Sequence, residues 1–227
     1  MLGVITASPL EAKSLKFAQG ISCEVSGPGE YNALSAATYL IEKGATALLS
    51  WGVAGSLDPT IPPGSIILPK LILKRNAPPL SVSKAWHWDF YKLLLKQFRP
   101  NTQSLLHSAR VIATADEKSE LFNAYQAAAV DMESYVIVEA ANQVGIPCLV
   151  LRSIIDPADM DLPEVALSAL DDNGNLNIGR VISSLLYKPW QLPALWQLSN
   201  YFKTANESLR FVSSLAAHKK MGLKNFE

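Results

Sequence analysis

The chain has 227 residues, of which 49% are hydrophobic and 18% charged, so it can bury a sizeable core and is not disordered. Its 20 basic residues balance its 20 acidic ones, which excludes a global field that recruits nucleic acid. The first residues lack the basic segment and apolar length of a signal peptide and no long apolar run predicts a membrane span, so we expect a cytoplasmic protein.

Short apolar runs rich in β-branched residues alternate with segments of helical periodicity along most of the chain. The predicted strands are Leu2–Thr6, Ala47–Trp51, Ser65–Leu73, Arg110–Ala113 and Cys148–Ile154. The predicted helices are Pro9–Gln19, Tyr31–Lys43 and Met132–Val144, and Asn76–Trp88 is predicted as an irregular loop. The alternation indicates an α/β fold with a parallel or mixed sheet covered on both faces, in which ligands bind beyond the carboxyl ends of strands.

The end of the chain carries a heavy apolar and aromatic load. Ile178–Lys188 and Pro193–Leu215 are predicted as two helices, separated at Pro189 and Pro193. We interpret residues 178–217 as an apolar helical extension of one domain that spans residues 1–227. Two readings stay open: core packing or an oligomer contact, and a surface for a lipid-like substrate or a membrane face.

Cysteines and histidines are few. Cys23 and Cys148 lie far apart beside apolar residues and are predicted to be reduced core thiols. The three histidines (His87, His107 and His218) show no metal-ligand spacing, so we assign no metal.

A segment of small residues, Gly52-Val53-Ala54-Gly55, follows the second predicted strand. Small residues let the backbone approach a ligand closely, and amides in a turn can bind anions or hydroxyl groups. A purely structural turn explains the segment equally well. The segment lacks the glycine spacing of the dinucleotide fingerprint, so a nicotinamide cofactor is not predicted.

Acidic residues at three element boundaries are candidates for chemistry. Asp131 and Glu133 flank Met132 at a switch from strand to helix. A carboxylate there can accept two hydrogen bonds from the vicinal diol of a sugar, although acids in a first helical turn also complement the helix dipole.

Asp156 leaves a buried strand just before Pro157. Partial desolvation there would raise the pKa of its carboxyl group and let it act as a general acid, whereas the alternative is an aspartate that only shapes the turn. For Glu11, on the first predicted helix, the default reading from the residues alone is a solvated acid.

In this order and spacing, the segments resemble the superfamily of nucleoside phosphorylases and nucleosidases, which includes the methylthioadenosine/S-adenosylhomocysteine nucleosidases. The resemblance runs from Leu2 to about Asp159. Its most specific pieces are Gly-x-Ala-Gly-x-Leu-Asp-Pro at 52–59, Asp-Met-Glu-Ser at 131–134 and Asp-x-Ala-Asp at 156–159. It implies a three-layer αβα sandwich with a mixed central sheet, usually oligomeric, that cleaves the N-glycosidic bond of a purine nucleoside.

The resemblance also implies roles for single residues. Asp156 corresponds to the acid that protonates purine N7, and Glu11 to the acid that positions the attacking water. Glu133 corresponds to the carboxylate that holds the ribose hydroxyls. The other residues expected to bind substrate are Met132, Asp131, Val53, Ala54 and Gly55.

A narrower resemblance points to the hopanoid-associated branch, through Leu162-Pro163 after the Asp156 motif and through the stretch from Pro189 to Leu195. It implies release of adenine from adenosylhopane, a lipid-like nucleoside, and contact with a membrane surface. The remaining alternatives are a methylthioadenosine/S-adenosylhomocysteine nucleosidase, a purine nucleoside phosphorylase, a non-catalytic nucleoside-binding protein and a membrane-surface scaffold.

The chain departs from the superfamily pattern at three places. Ile155 stands where a serine often precedes the acid, and 115–118 (Ala-Asp-Glu-Lys) stand where an aromatic residue usually stacks on the base. Ser50 and Val53 fall where phosphorylases bind phosphate, and neither supplies a cation. Hydrolysis is therefore favoured over phosphorolysis, no cofactor is expected, and phosphate stays open as a co-substrate.

Overall fold

Nine strands and seven helices make up the part of the chain that the computed structural model describes, residues 1–15, 21–168 and 187–217. The strands are β1 (Leu2–Thr6), β2 (Ile21–Val25), β3 (Ala47–Ser56), β4 (Ile66–Ile67), β5 (Leu71–Lys74), β6 (Leu80–Ser81), β7 (Leu105–His107), β8 (Ala129–Asp131) and β9 (Cys148–Asp156). The helices are α1 (Pro9–Ala12), α2 (Glu30–Glu42), α3 (Lys84–Leu94), α4 (Ala115–Tyr125), α5 (Ser134–Gln143), α6 (Glu164–Ser168) and α7 (Leu192–Ala217), with 3₁₀ turns at Lys13–Leu15 and Pro189–Gln191.

The central strand of the sheet is β3. Its first half lies between β1 and β9, parallel to both, while its last residues, Gly55 and Ser56, pair with β8 in the antiparallel direction. The sheet continues from β1 to β2, from β8 through β7 and β5 to β6, and from β9 to β4. It is therefore mixed, and the ends of β1, β3, β8 and β9 meet near its middle.

Helices flank the sheet in two groups. Helices α2 and α5 pack against each other and the sheet, whereas α7 packs against β9, α3 and the turn at Lys13–Leu15. Helix α7 buries Ala205, Leu209, Val212 and Ala216, a spacing that places them on one face. The predicted three-layer αβα sandwich is confirmed. Among the described residues, no helix has both the length and the apolar character needed to cross a membrane.

Most predicted elements are present with small shifts of their ends. Strand β1 matches its prediction, and β9 extends two residues further, to Asp156. The helices predicted from Tyr31, Met132 and Pro193 are α2, α5 and α7. Strand β3 runs five residues beyond the predicted Trp51, because the small residues that follow continue the ladder with β9.

The strand predicted at Arg110–Ala113 is wrong. The strand of this region is β7, which pairs with β5 and β8 and ends at His107. The chain then leaves the sheet, and Thr114 caps helix α4 by accepting a hydrogen bond from the amide of Glu117. The β-branched residues Val111 and Ile112 suggest a strand, but Ile112 is buried in a small apolar cluster with Leu57 and Val130.

Two other segments are more divided than predicted. Ser65–Leu73 is not one strand but two, β4 and β5, because Pro69 between them cannot donate a ladder hydrogen bond. The loop predicted at Asn76–Trp88 contains β6 and the start of α3, which is capped by Ser83 and buries Trp86 and Phe90.

Two predicted helices extend beyond the described residues, and the prediction for one of the two cysteines is wrong. Of Pro9–Gln19, helix α1 covers only Pro9–Ala12 and a 3₁₀ turn follows to Leu15, while residues 16–20 lie outside the described part. Of Ile178–Lys188, residues 178–186 lie outside it. Both cysteines are free, and Cys148 is buried, but Cys23 is exposed on β2 and is therefore not a core thiol.

Candidate active site

A cavity of about 240 Å³ opens where the ends of the central strands meet. Its lining contains every residue that the sequence predicted for catalysis or substrate binding: Glu11, Val53, Ala54, Gly55, Asp131, Met132, Glu133 and Asp156. The rest of the lining is mainly apolar: Ala7, Pro28, Arg110, Val111, Ile112, Val130, Ile155 and Leu162. Glu133 and Asp156, which are distant in sequence and lie on different elements, therefore face one shared space.

Asp156 is the last residue of β9 and is 3% exposed. A bulge places one extra residue, Ile155, between the pairs formed by Ile154 and by Asp156 with β3. Bulges re-aim the side chains that follow them. The carboxyl group of Asp156 comes to lie over Gly55, where an added Cβ would be 3.0 Å from its Oδ2.

Lys118 of helix α4 is the partner of Asp156. Its side chain is 0% exposed, and its ammonium lies 2.6 Å from Asp156 Oδ2. The same ammonium donates to the carbonyl oxygens of Pro157, at 2.9 Å, and Met160, at 2.8 Å. Burial raises the pKa of Asp156 above its ordinary value, and the charge and hydrogen bond of Lys118 oppose that rise.

Glu11 is 3% exposed, so the default reading of a solvated acid is wrong. Its carboxylate accepts hydrogen bonds from the amides of Ser8, at 2.8 Å, and Val53, at 2.9 Å. Burial raises its pKa, while the positive charge of Arg152 and these amides oppose the rise. Gly52 makes room for it, since an added Cβ would lie 2.5 Å from Glu11 Oε1.

Glu133 stands at the N-cap of α5 and is 8% exposed. It accepts hydrogen bonds from the amides of Gly29, at 2.9 Å, and Met132, at 3.3 Å. Burial and the nearby charge of Asp131 raise the pKa of Glu133 to about 7, against the opposing charge of Arg152. Glu133 therefore exchanges its proton near neutral pH.

Asp131 is held by a buried guanidinium. Arg152 Nε donates to Asp131 Oδ2 at 2.9 Å, and its Nη2 donates to the hydroxyls of Ser50, at 2.7 Å, and Ser134, at 2.9 Å. Ser134 also donates from its hydroxyl to Asp131. Asp131 thus lines the cavity, but its carboxylate is largely used by these internal contacts.

The two ends of the cavity differ in charge. The Asp156 end comprises Asp156 with Lys118, one acid and one base. The Glu133 end comprises Glu11, Asp131, Glu133 and Arg152, which are three acids and one guanidinium, all buried. Such an arrangement can exchange a proton at one end and stabilise a developing positive charge at the other.

Two of these residues, Lys118 and Arg152, were not predicted as functional. Lys118 lies among the charged residues of α4, a pattern that normally indicates a solvated helix face, so the sequence holds no signal for its burial. Arg152 stands in the predicted strand β9, where a charged residue amid apolar ones is a usable signal. It also supplies a cation beside Ser50, which the sequence argument had excluded.

The small residues from Gly52 to Gly55 act differently from the prediction. They belong to strand β3 rather than to a turn. The glycines admit the carboxyl groups of Glu11 and Asp156, and the amide of Val53 binds Glu11. The backbone of these glycines thus lies close to side chains of the protein itself, whereas the prediction was a close approach to a ligand.

A larger cleft of about 620 Å³ lies between the chain around Ile61, the chain around Phe98 and helix α7. Its ionisable lining residues, Arg99 and Glu207, are exposed, whereas six buried ionisable groups surround or support the smaller cavity. We therefore place the candidate active site in the smaller cavity. Within the described residues, no group of histidine, cysteine and acidic side chains could hold a metal ion.

Comparison with known proteins agrees with this fold. The family model of the phosphorylase superfamily matches residues 15–185, about three quarters of the chain. The chain belongs to the phosphorylase superfamily. It is thus a member of a superfamily of enzymes, and the resemblance seen in its motifs is confirmed at this level, while the hopanoid-associated branch stays a prediction. No curated protein sequence matches the chain.

Solved structures of nucleosidases share the fold of this phosphorylase-superfamily chain. The 5'-methylthioadenosine/S-adenosylhomocysteine nucleosidase of Helicobacter pylori is 17% identical, with a TM-score of 0.72 over 96% of this chain and 97% of that chain. The futalosine hydrolase of the same organism is 16% identical, with a TM-score of 0.70 over 97% and 96%. The Neisseria meningitidis methylthioadenosine/S-adenosylhomocysteine nucleosidase is 14% identical, with a TM-score of 0.72 over 96% and 98%.

Proposed function

We propose that this enzyme cleaves the N-glycosidic bond of a purine nucleoside and releases adenine. The observation that carries the proposal is the shared cavity, which brings Asp156, at the end of β9, and Glu133, at the N-cap of α5, together with Glu11 beside them. Asp156 protonates the base, and Glu133 binds the ribose hydroxyls. The superfamily match and the nucleosidase neighbours support the same chemistry.

The charges of the cavity suit this reaction. Departure of the base puts negative charge on the purine and positive, oxocarbenium-like charge on the ribose. A proton from Asp156 neutralises the first charge, and the acids of the Glu133 end stabilise the second. Glu11, fixed by two backbone amides, positions and deprotonates the attacking water.

We favour hydrolysis over phosphorolysis. Phosphate would need a free cation, but the guanidinium of Arg152 already donates to Asp131, Ser50 and Ser134. Arg110, at the edge of the cavity, is ion-paired with Glu117. Two of the similar structures are of nucleosidases and one is of a hydrolase, which supports the same choice.

Within this function we propose an adenosyl compound with a lipid-like tail, adenosylhopane, as the substrate. Trp190, in the 3₁₀ turn before α7, is 70% exposed, and Trp196, in the first turns of α7, is 71% exposed. Gln191, between them, accepts a hydrogen bond from the amide of Val165, three residues after Leu162 of the cavity lining. This apolar surface would take the tail and touch the membrane, in an enzyme we expect to be a homo-oligomer.

The test is a release assay on adenosine, methylthioadenosine and adenosylhopane, each with and without phosphate. We expect adenine with free ribosyl product in both conditions and the highest kcat/KM on adenosylhopane. Asp156→Asn should lower kcat by about 10²–10⁴-fold, since a positioned acid contributes that much. Asp89→Asn, on α3 away from the cavity, is the matched control.

Each reading has its own contrary result. Full activity in Asp156→Asn would remove the proposed acid, and a product that forms only with phosphate would make the enzyme a phosphorylase. A preference for methylthioadenosine would replace the lipid-like substrate with a small one. Calorimetric binding of adenine or ribosides without turnover would make the chain a nucleoside-binding protein.

A further inference from the structure

The ammonium of Lys118 is completely enclosed. It is 0% exposed and has three acceptors, which are Asp156 Oδ2 and the carbonyl oxygens of Pro157 and Met160. An ammonium has three N–H donors, so each has a partner. The loop after β9 is thereby tied to α4, and one oxygen of the Asp156 carboxylate is fixed.

Asp156 has few other polar supports around its carboxyl group. Ile155 before it is apolar, and Gly55 beneath it has no side chain. A buried ion pair is costly to form, and removal of only one partner strongly destabilises the folded protein. Lys118 is the one buried residue of α4, and its place beside the cavity points to a role beyond stability.

We propose that Lys118 is a positioning residue that acts through Asp156, fixing its carboxylate and supplying the proton that Asp156 passes to the departing base. The inference rests on the proposed function. In the free enzyme the two side chains form an ammonium–carboxylate ion pair. When the C1′–N bond breaks, its electron pair leaves with the base, and the proton passes from Lys118 to Asp156 and from Asp156 to the base. The neutral amine then recovers, through Asp156 and the cavity, the proton that Glu11 took from the attacking water, so that the cycle balances.

Other charged groups lie near the Lys118–Asp156 pair, in the cavity and on the elements that hold the pair. The cavity also presents Glu11, Asp131 and Glu133, with Arg152 behind them and Arg110 at its edge. On the elements that hold the pair, the charged side chains are those of Asp116, Glu117, Glu120, Arg152, Asp159 and Asp161. Of these, Asp161 caps the amide of Ala115 and Glu117 pairs with Arg110, so both are engaged elsewhere.

The experiment compares Lys118→Met with Lys118→Arg and with the control Lys92→Met, an exposed lysine of α3. With Lys118 removed, Asp156 must hold the proton alone, so the alkaline limb of kcat/KM should move to lower pH by about one to three units. At pH 8 kcat should fall at least about tenfold with little change in KM. Lys118→Arg should keep the limb near its original position. If Lys118→Met is too unstable to purify, Lys118→Gln retains a donor for the carbonyls without the charge and should show the same shift.

A loss that is equal at every pH, or an alkaline limb that does not move, would show that Lys118 is only structural. A second readout needs no activity. In ¹³C-labelled aspartate spectra, the carboxyl resonance that disappears in Asp156→Asn should titrate at higher pH in Lys118→Met than in the wild type. An unchanged midpoint overturns the inference. A changed midpoint with no base released from any nucleoside overturns the proposed function alone and leaves the coupling intact.

Discussion

The two ends of the cavity hold buried charge in opposite ways. At the Asp156 end, an ammonium and a carboxylate balance each other and the pair is closed off by two carbonyl oxygens. At the Glu133 end, the guanidinium of Arg152 is bonded to Asp131, and its charge also acts on Glu11 and Glu133. The pKa of Glu133 rises to about 7. One end is balanced and the other has more negative than positive groups.

The difference shows how one small cavity can meet two demands. A balanced ion pair is neutral while it holds the proton that the departing base needs. An excess of carboxylates is unfavourable in an empty cavity but favourable when positive charge develops on a sugar. We therefore expect the Glu133 end to cost stability, as is common where function sets the arrangement.

Removal of the guanidinium is the strongest test of this comparison. Arg152→Met leaves Asp131 buried without its partner, beside Glu133 and Glu11, and should lower the free energy of unfolding by about 3–5 kcal/mol. Urea unfolding at pH 7 measures it, with the exposed Arg99→Met as the control.

Lys118→Met in the same assay should cost less than Arg152→Met, because a single acid can neutralise itself by taking a proton. Equal losses for the two variants would mean that the two ends are not different in the way described.

A smaller effect is expected from Glu133→Gln, and its sign depends on pH. The pKa of Glu133 rises from 4.5 to about 7 on folding, so the folded chain binds more protons than the unfolded chain between these values. Its contribution to stability is present below pH 4.5 and is lost as the pH rises through 7. The variant avoids this loss. Between pH 5 and pH 8 its free energy of unfolding should therefore rise, relative to that of the wild type, by on the order of 2–3 kcal/mol.

The measurement for Glu133 is the free energy of unfolding across that pH range, with the exposed Glu42→Gln of α2 as the control. Wild type and Glu133→Gln with parallel pH dependence would show that Glu133 keeps an ordinary pKa. The same group should give kcat/KM an acid limb near pH 7, since ribose binding needs the carboxylate.

Features of the fold and the site that depend on neighbouring residues could be predicted from the sequence, whereas those that depend on residues far apart in the chain could not. Strand β9 and helix α2 follow from local periodicity, and the acids at element ends follow from motif order. The strand wrongly predicted at Arg110–Ala113 shows the limit, because β-branched residues that pack in a small cluster look the same as those in a ladder.

The partners of the acids were beyond local patterns. Lys118 lies 38 positions before Asp156, and Arg152 lies 102 positions after Ser50, so only the fold brings them together. A lysine among acids on a helix is typical of a solvated face, and its burial depends on the loop after β9 reaching across α4. The sequence could therefore predict the acids of the site but not the cations that balance them.

The smallest effect on stability is expected from alanine substitutions at Gly52, beside Glu11, and at Gly55, beside Asp156. Neither Gly52 nor Gly55 has a positive φ, so both backbones suit any residue and only the nearby carboxyl groups require glycine. An alanine Cβ would lie 2.5 Å from Glu11 at position 52, but 3.0 Å from Asp156 at position 55. Gly52→Ala should therefore cost more stability, about 1–3 kcal/mol, because crowding of a packed site costs that much.

Thermal or urea unfolding of the two alanine variants measures which substitution costs more stability. Gly145→Leu is unsuited as a control, because the φ of Gly145, 73°, would add backbone strain. Ala54→Ser, a neighbour in the same strand, is the better reference. If Gly55→Ala costs as much as Gly52→Ala, Lys118 holds Asp156 more rigidly than two backbone amides hold Glu11. The balanced end would then be the stiffer one, and the few tenths of an ångström needed at position 55 would be unavailable because the ammonium fixes the carboxylate.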